Sequence, residues 1–212
     1  MKGEHVLGKF TTIWKLGLGA AAVSGVLVKC GVFQPVPSLW LLSYFTILTN
    51  LFTGIYFLLE GAFAAFGWRL KAHEWKGALL LCNLLTGCVY YLVLHPGTFS
   101  LSGVLTINGL QHFVIPLCVV IDWFMLESKG RFRRWTPLKW ALVPLCYVLF
   151  IEIAVPAGLK IGNVRIGYPY FFLDPNRMGV SGVVGYSLGL GVCWLMAGYL
   201  LVWIDSWLAK RK

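Results

Sequence analysis

Acidic residues are rare in this sequence: 8 Asp and Glu stand against 18 Lys and Arg, and charged residues fill only 12% of the 212 positions. Soluble domains carry about 25% charged and about 45–50% apolar residues. Here 58% of positions are hydrophobic and the mean hydropathy is +0.76. A water-soluble globule is excluded on those figures, and lipid is the solvent that suits such a chain. CxxC spacing is also missing. The cysteines (Cys30, Cys82, Cys88, Cys118, Cys146, Cys193) fall mostly inside apolar runs, where a thiol behaves as a small hydrophobe. That argues against a zinc site or a disulfide framework. Histidine is scarce, and only His112 lies deep in an apolar run. A bis-histidine haem needs pairs at matched depth, so no metal or other cofactor is expected. The formal charge of +10 does not point to nucleic acid, because the basic residues sit in short patches between apolar runs.

Those runs predict an all-α polytopic membrane protein of six transmembrane helices, forming a single domain over 1–212. The spans are expected at about 11–32, 39–66, 77–94, 104–126, 138–155 and 180–204, each near the roughly 20 residues that cross a bilayer. Lys2 and Lys9 precede the first run and Ala20-Ala21-Ala22 lie within it, which resembles a signal peptide. The run continues past the alanines and Lys15 interrupts it, so a retained helix is expected.

Loop charge sets the orientation. Arg69, Lys71 and Lys76 lie between spans two and three. Lys129, Arg131, Arg133, Arg134 and Lys139 lie between four and five, and the chain ends Lys210-Arg211-Lys212. The loops Phe33 to Ser38 and His95 to Gly103 hold no Lys or Arg. Basic loops stay cytoplasmic, so both termini are expected inside. Lys160, Arg165 and Arg177 on the long outer segment, Pro156 to Gly179, weaken the pattern without reversing it.

Small residues recur every fourth position at Gly17, Ala21 and Gly25 in span one. They do so again at Ser181, Gly185, Gly189, Cys193 and Ala197 in span six. Such stripes let backbones approach closely; internal packing is the expected use, with a homo-oligomer contact as the alternative. Trp40, Trp68, Trp75, Trp123, Trp135, Trp203 and Trp207 read as interfacial anchors.

Polar groups in hydrocarbon usually face a cavity or one another. Thr46 lies about 7 residues into span two, roughly 10 Å deep, and His112 about 8 residues into span four, roughly 12 Å deep. Glu152 reaches a similar depth from the other side. Asn50 shares a face with Thr46 and Asn108 with His112, one turn away in each case. A threonine hydroxyl becomes a nucleophile when a neutral imidazole takes its proton and a further group fixes the tautomer. Thr46 as nucleophile, His112 as base and Asn108 or Glu152 as orienter fit acyl transfer, with Asn50 or Tyr90 as oxyanion donor. The plainer readings are that Thr46 bonds its own helix, and that Asn50 and Asn108 tie helices together. Glu60 and Asp122 are expected to pair with Lys15 or loop arginines, and His5, His73 and His95 to lie at the surface. The aromatic run Tyr168 to Asp174, with Pro169 and Pro175, reads either as a lid folded back over the outer mouth or as a plain interfacial loop.

Ser43-Tyr44-Phe45-Thr46-Ile47-Leu48-Thr49-Asn50 resembles the YFT-x-x-SN signature of the bacterial Pr-six-Pr membrane proteins. Asn108-x-x-Gln111-His112-x-x-x-Pro116 followed by Asp122-Trp123, and then Tyr168-Pro169-Tyr170-Phe171-Phe172-Leu173-Asp174, are similar to that family's later blocks. More distantly, the three blocks resemble the androgen-induced and androgen-dependent transmembrane proteins of animals. Those are threonine hydrolases of fatty acid esters of hydroxy fatty acids. The animal proteins place the histidine one residue further from the following proline, about 100° of helical rotation. The resemblance implies six spans in a bacterial cytoplasmic membrane, Thr46 as nucleophile and His112 as its partner. The expectation is therefore a hydrolase of lipid-like esters. Its rivals are a lipid or small-molecule carrier without catalysis and an isoprenoid enzyme with Glu152 or Asp122 as proton donor.

Overall fold

The computed structural model describes residues 2–68 and 70–211. Arg69 and Lys212, counted above among the loop and tail charges, lie outside the described residues, as do the side chains of residues 2–7, Lys2 and His5 included. Six helices are long and apolar enough to cross a membrane: Gly8–Lys29, Phe45–Ala65, His73–Leu94, Ile107–Leu126, Thr136–Ala154 and Pro175–Ala209. Among the described residues strand is confined to a hairpin pairing β1 (Lys160–Ile161) with β2 (Val164–Arg165). The chain is a six-span, all-α membrane protein. It divides into two compact units, Met1–Pro37 with Thr46–Glu127, and Ser38–Phe45 with Ser128–Lys212.

The first unit holds α1 (Lys2–Lys29), α2 (Phe45–Ala65) and α3 (His73–Val89), the last prolonged by a π turn over Tyr90–Leu94. Its fourth span is assembled from α4 (Leu101–Val104), α5 (Ile107–Gly109), a second π turn over Leu110–Val114, and α6 (Ile115–Leu126). The sequence led us to expect one helix from 104. Instead Thr106 breaks it: the Oγ1 donates to the Gly103 carbonyl at 2.7 Å and accepts from the Gly109 N–H at 3.1 Å. A threonine that satisfies orphan backbone groups in this way starts a helix afresh. α1 stops three residues earlier than expected because Gly31 takes φ +61°. The Val32 and Gly31 N–H groups then close back on the Leu27 and Val28 carbonyls, the Schellman pattern.

α1 and α2 meet backbone to backbone. A Cβ on Gly19 would stand 2.7 Å from the Leu58 nitrogen, and one on Gly54 2.9 Å from the Val23 nitrogen. Of the expected stripe, Gly25 is buried and a Cβ there would stand 3.1 Å from Leu110, whereas Gly17 has open space at its Cβ position. Trp123 is also corrected: it is 2% exposed and belongs to the core, not to an interfacial belt.

At the end formed by the start of α3 and the finish of α2 and α6, five charges are buried together. The Lys76 ammonium lies 2.5 Å from Asp122 Oδ2, 2.6 Å from Glu127 Oε1 and 2.9 Å from Glu60 Oε2. Lys15 Nζ lies 2.9 Å from Glu60 Oε1 and 3.0 Å from Glu127 Oε1. The Trp14 indole N–H donates to Asp122 Oδ1 at 3.1 Å. Lys15 pairs with Glu60 as expected, whereas the partner of Asp122 is Lys76, a residue read above as a loop charge. The three carboxylates come within 4.8 Å of one another, and the two ammonium groups supply the positive charge that this crowding requires.

The second unit contains α7 (Thr136–Ala154), the hairpin, a 3-10 turn over Phe171–Leu173 and α8 (Pro175–Ala209), which bends at Gly179, φ +67°. Residues 39–43, expected to open span two, form a 3-10 turn that belongs here. The reason is Tyr147: its hydroxyl donates to the Ser43 carbonyl at 2.9 Å and accepts from the Phe45 N–H at 3.2 Å, so the helix cannot start earlier. Asp205, fully buried, accepts from the Arg131 and Phe132 N–H groups and ties the basic loop to α8. Val183, Trp194, Gly198 and Leu201 line the buried side of α8, while Ser181, Gly185, Gly189 and Cys193 are exposed. The span-six stripe is thus not the packing seam expected of it.

Two outcomes follow for the charged cluster. Lys76→Met strands three buried carboxylates with one cation and is expected to lower unfolding free energy by about 3–5 kcal/mol, measured by unfolding in detergent micelles. Burial pushes the Glu127 carboxyl up, but Lys76 and then Lys15 outweigh it and hold the group down to about 2. A carboxylate lowered in the folded state contributes stability that is present above its ordinary value and lost as pH falls toward the lowered one. Unfolding free energy is expected to decline between pH 4.5 and about 2, and Glu127→Gln to flatten that decline; an unaltered pH profile in the variant would contradict the assignment.

Candidate functional site

At the opposite end of the first unit, the finish of α1 and α3 meets the start of α2 and of the fourth span. His112 sits in the π turn over Leu110–Val114 and Tyr90 opens the π turn over Tyr90–Leu94. A π turn carries one extra residue per turn and is found mostly at functional positions. Gly87 permits the approach, because a Cβ there would stand 2.8 Å from the His112 carbonyl oxygen. The two rings stack with centroids 3.9 Å apart at 27°, and the His95 ring lies 4.7 Å from that of Tyr90 on the same tyrosine. His95, expected at the surface, is exposed but joins this stack.

His112 Nδ1 lies 2.9 Å from the Asn108 carbonyl oxygen. A carbonyl can only accept, so Nδ1 carries the hydrogen and Nε2 of the neutral ring keeps its lone pair. The Asn108 group that holds the ring is its backbone carbonyl and not its side chain. The Asn108 Oδ1 accepts instead from the Lys29 ammonium at 2.8 Å. Lys29 escaped the sequence reading; its signal was a cation ending span one beside a loop with no Lys or Arg.

Thr46 is buried near the start of α2, 7% exposed. The Asn50 amide donates to the Thr46 carbonyl at 2.9 Å and to the Gln111 carbonyl at 3.2 Å. Asn50 thus links the turn carrying Thr46 to the residue next to His112. Both of its N–H groups are spent on carbonyls, which leaves it no donor for an oxyanion. Deeper along the same face of α2, Thr53 Oγ1 accepts from Asn83 on α3 at 2.8 Å. A cavity of about 160 Å³ opens beside the stack, lined by Tyr90, Tyr91, His95, Thr98, Thr106 and Asn108 among others.

Glu152 and the candidate lid belong to the second unit and are described within it. One Glu152 carboxyl oxygen is buried without a hydrogen-bond partner. Burial, with the nearby Glu152 and Asp174 carboxylates, raises the Tyr168 hydroxyl above its ordinary value. Asp174 caps α8 by accepting from the Asn176 N–H at 2.9 Å. Pro169 leads into Tyr170, whose ring packs against Tyr44 and Phe172, and Phe172 and Leu173 are buried. The segment is anchored by its aromatic rings.

Comparison with protein-family models, with curated proteins and with solved structures finds no match to this chain.

The tautomer is testable. In protein labelled with ¹⁵N-histidine, the His112 ring is expected to show its proton on Nδ1, and Asn108→Pro, which disturbs the carbonyl's turn, to mix the two tautomers. A proton found on Nε2 in the wild type would remove His112 as a base.

Proposed function

We propose that the protein is an intramembrane hydrolase of lipid-like esters, of the fatty-acyl class, with Thr46 as nucleophile and His112 as base. The observation that carries the reading is the Nδ1–H···O=C bond of His112, which keeps Nε2 as a proton acceptor inside a membrane span. Thr46 Oγ1 adds to the ester carbonyl and its proton passes to Nε2. The tetrahedral intermediate expels the alcohol, which leaves with that proton, and the acyl group stays on Thr46. Water then adds to the acyl ester, again through Nε2, and releases the fatty acid. Tyr90, stacked on His112, is the candidate to donate to the oxyanion, since the Asn50 amide is committed elsewhere.

The three blocks that resemble the Pr-six-Pr proteins, and more distantly the animal threonine hydrolases, support the same assignment. In this reading the basic loops and both termini face the cytoplasm of a bacterial cell. The Thr46–His112 end then lies toward the outer leaflet, from which an acyl chain enters.

A carrier without catalysis is the second reading. It is favoured by the cavity over Tyr90 and Asn108, which can hold a headgroup with no covalent step. Purified protein separates the two. Thr46→Ala and His112→Ala are each expected to lower ester turnover at least about 100-fold, the size of a lost general base, with the fold retained by circular dichroism. Turnover that survives Thr46→Ala disposes of the nucleophile.

A further inference from the structure

Three buried amides at the candidate site have hydrogen-bonding ends that nothing among the described residues meets. Asn50 is fully buried and gives both N–H groups to carbonyls, so the end left over is its Oδ1, an acceptor without a donor. Asn83 repeats the arrangement: its N–H groups go to Thr53 Oγ1 and to the Leu79 carbonyl, both at 2.8 Å, and its Oδ1 is unmet. Gln111, 1% exposed, has neither its Oε1 nor its Nε2 partnered.

The three converge from α2, α3 and the second π turn. Asn50 bonds the Gln111 backbone. Thr53, which holds Asn83, lies three residues from Asn50 and so on the same face of α2. Gly87, one turn beyond Asn83, lies against the carbonyl of His112. A buried polar atom without a partner costs about 1–3 kcal/mol, and four in one place are too many for an unfilled site. What fills them must donate to three amide oxygens and also accept from Gln111 Nε2. The groups these amides bond (Thr46, Thr53, Leu79 and Gln111) are all uncharged, which disfavours an ion. A pair of waters fits, since each brings two donors, two acceptors and no charge.

We infer that Asn50, Asn83 and Gln111 form an internal water-binding site, and that its water deacylates Thr46. The first half stands on the amides alone; the second rests on the hydrolase reading. Asn50 is one turn from Thr46 and Gln111 is adjacent to His112, so the water is stored where the acyl ester would form. In that step His112 Nε2 takes a proton from water as the water oxygen bonds the acyl carbon. The bond from that carbon to Thr46 Oγ1 then breaks, Oγ1 takes back the proton, and the carboxylic acid leaves.

The full-length protein in lipid nanodiscs, ¹⁵N-labelled at glutamine, tests the site. A cross-peak from water to the Gln111 side-chain N–H₂ is expected, with Gln34, the other glutamine of the chain, assigned by substitution. Absence of the Gln111 cross-peak overturns the water site. A rise in unfolding temperature in Gln111→Met also overturns it, because removing unmet polar atoms from a dry site stabilises the fold. Pre-steady-state kinetics with p-nitrophenyl decanoate test the step. Gln111→Met and Asn83→Leu are expected to lower steady-state turnover about tenfold, one lost hydrogen bond to the water, with acyl-Thr46 accumulating by mass spectrometry. Turnover equal to wild type in both variants, when Thr46→Ala is inactive, overturns the deacylation role alone. An active Thr46→Ala overturns the hydrolase reading and that role with it, and the cross-peak still decides whether the amides hold water.

Discussion

Lys76 fixes the first unit. A lysine that is 1% exposed in a lipid-embedded helix survives only if opposite charge surrounds it, and three carboxylates from α2, α6 and the residue after α6 do so. Three carboxylates around one ammonium would repel, and Lys15 from α1 supplies the second cation. Each member is intolerable without the others, so the cluster admits only one arrangement of the four spans at that end. A buried ion pair is weak evidence of net stability, but breaking one is expensive. The cluster therefore specifies register more than it adds strength. Its position also sets how far α2 and α3 can slide, because Glu60 and Lys76 stand 16 residues apart in the chain and 2.9 Å apart in space.

The other end of the unit is built from neutral polar groups. Asn50, through the Gln111 carbonyl, and Thr53, through Asn83, hold α2 to its neighbours by single hydrogen bonds. Interhelical bonds of this kind contribute about 0.6–2 kcal/mol each in membranes, far less than the charged end resists. The contrast suits chemistry. Under the proposed hydrolase reading, a site that admits a lipid-like ester needs helices that yield slightly, and a rigid clamp on the far side keeps that yielding local.

The spans were legible because hydropathy is a sum over about 20 residues and survives errors at single positions. Their ends were less so, since they depend on contacts that hydropathy does not record: the Tyr147 hydroxyl that starts α2 is 102 residues away from Phe45. Lys76 illustrates the limit. Counting loop charge treats it as solvated, and only Glu127, 51 residues later, reveals that it is buried. Thr46, Asn50, Asn108 and His112 stood out as polar residues in apolar runs, and the structure places Asn50 between Thr46 and the His112 segment. Gln111 carried the same signal and was overshadowed by the histidine beside it. Spacing identified His112 but not the group that fixes its tautomer, because a backbone carbonyl has no side-chain signature.

The two π turns join these observations. π-helix makes up well under 1% of residues in soluble proteins, yet here one carries His112 and the other Tyr90, face to face. Each widened turn breaks the regular i to i−4 ladder, so neither is favoured by the local backbone alone. Regular α-helix would advance each residue by 100° and carry these rings away from the positions in which they stack. The irregular backbone is retained because both helices are already pinned elsewhere, α3 by Lys76 at its start and the fourth span by Asp122 near its finish. With those points held, the contact of Gly87 with the His112 carbonyl leaves the excess residue in each helix nowhere to go but the turn. Charge at one end of the unit thus holds the backbone that presents an imidazole at the other.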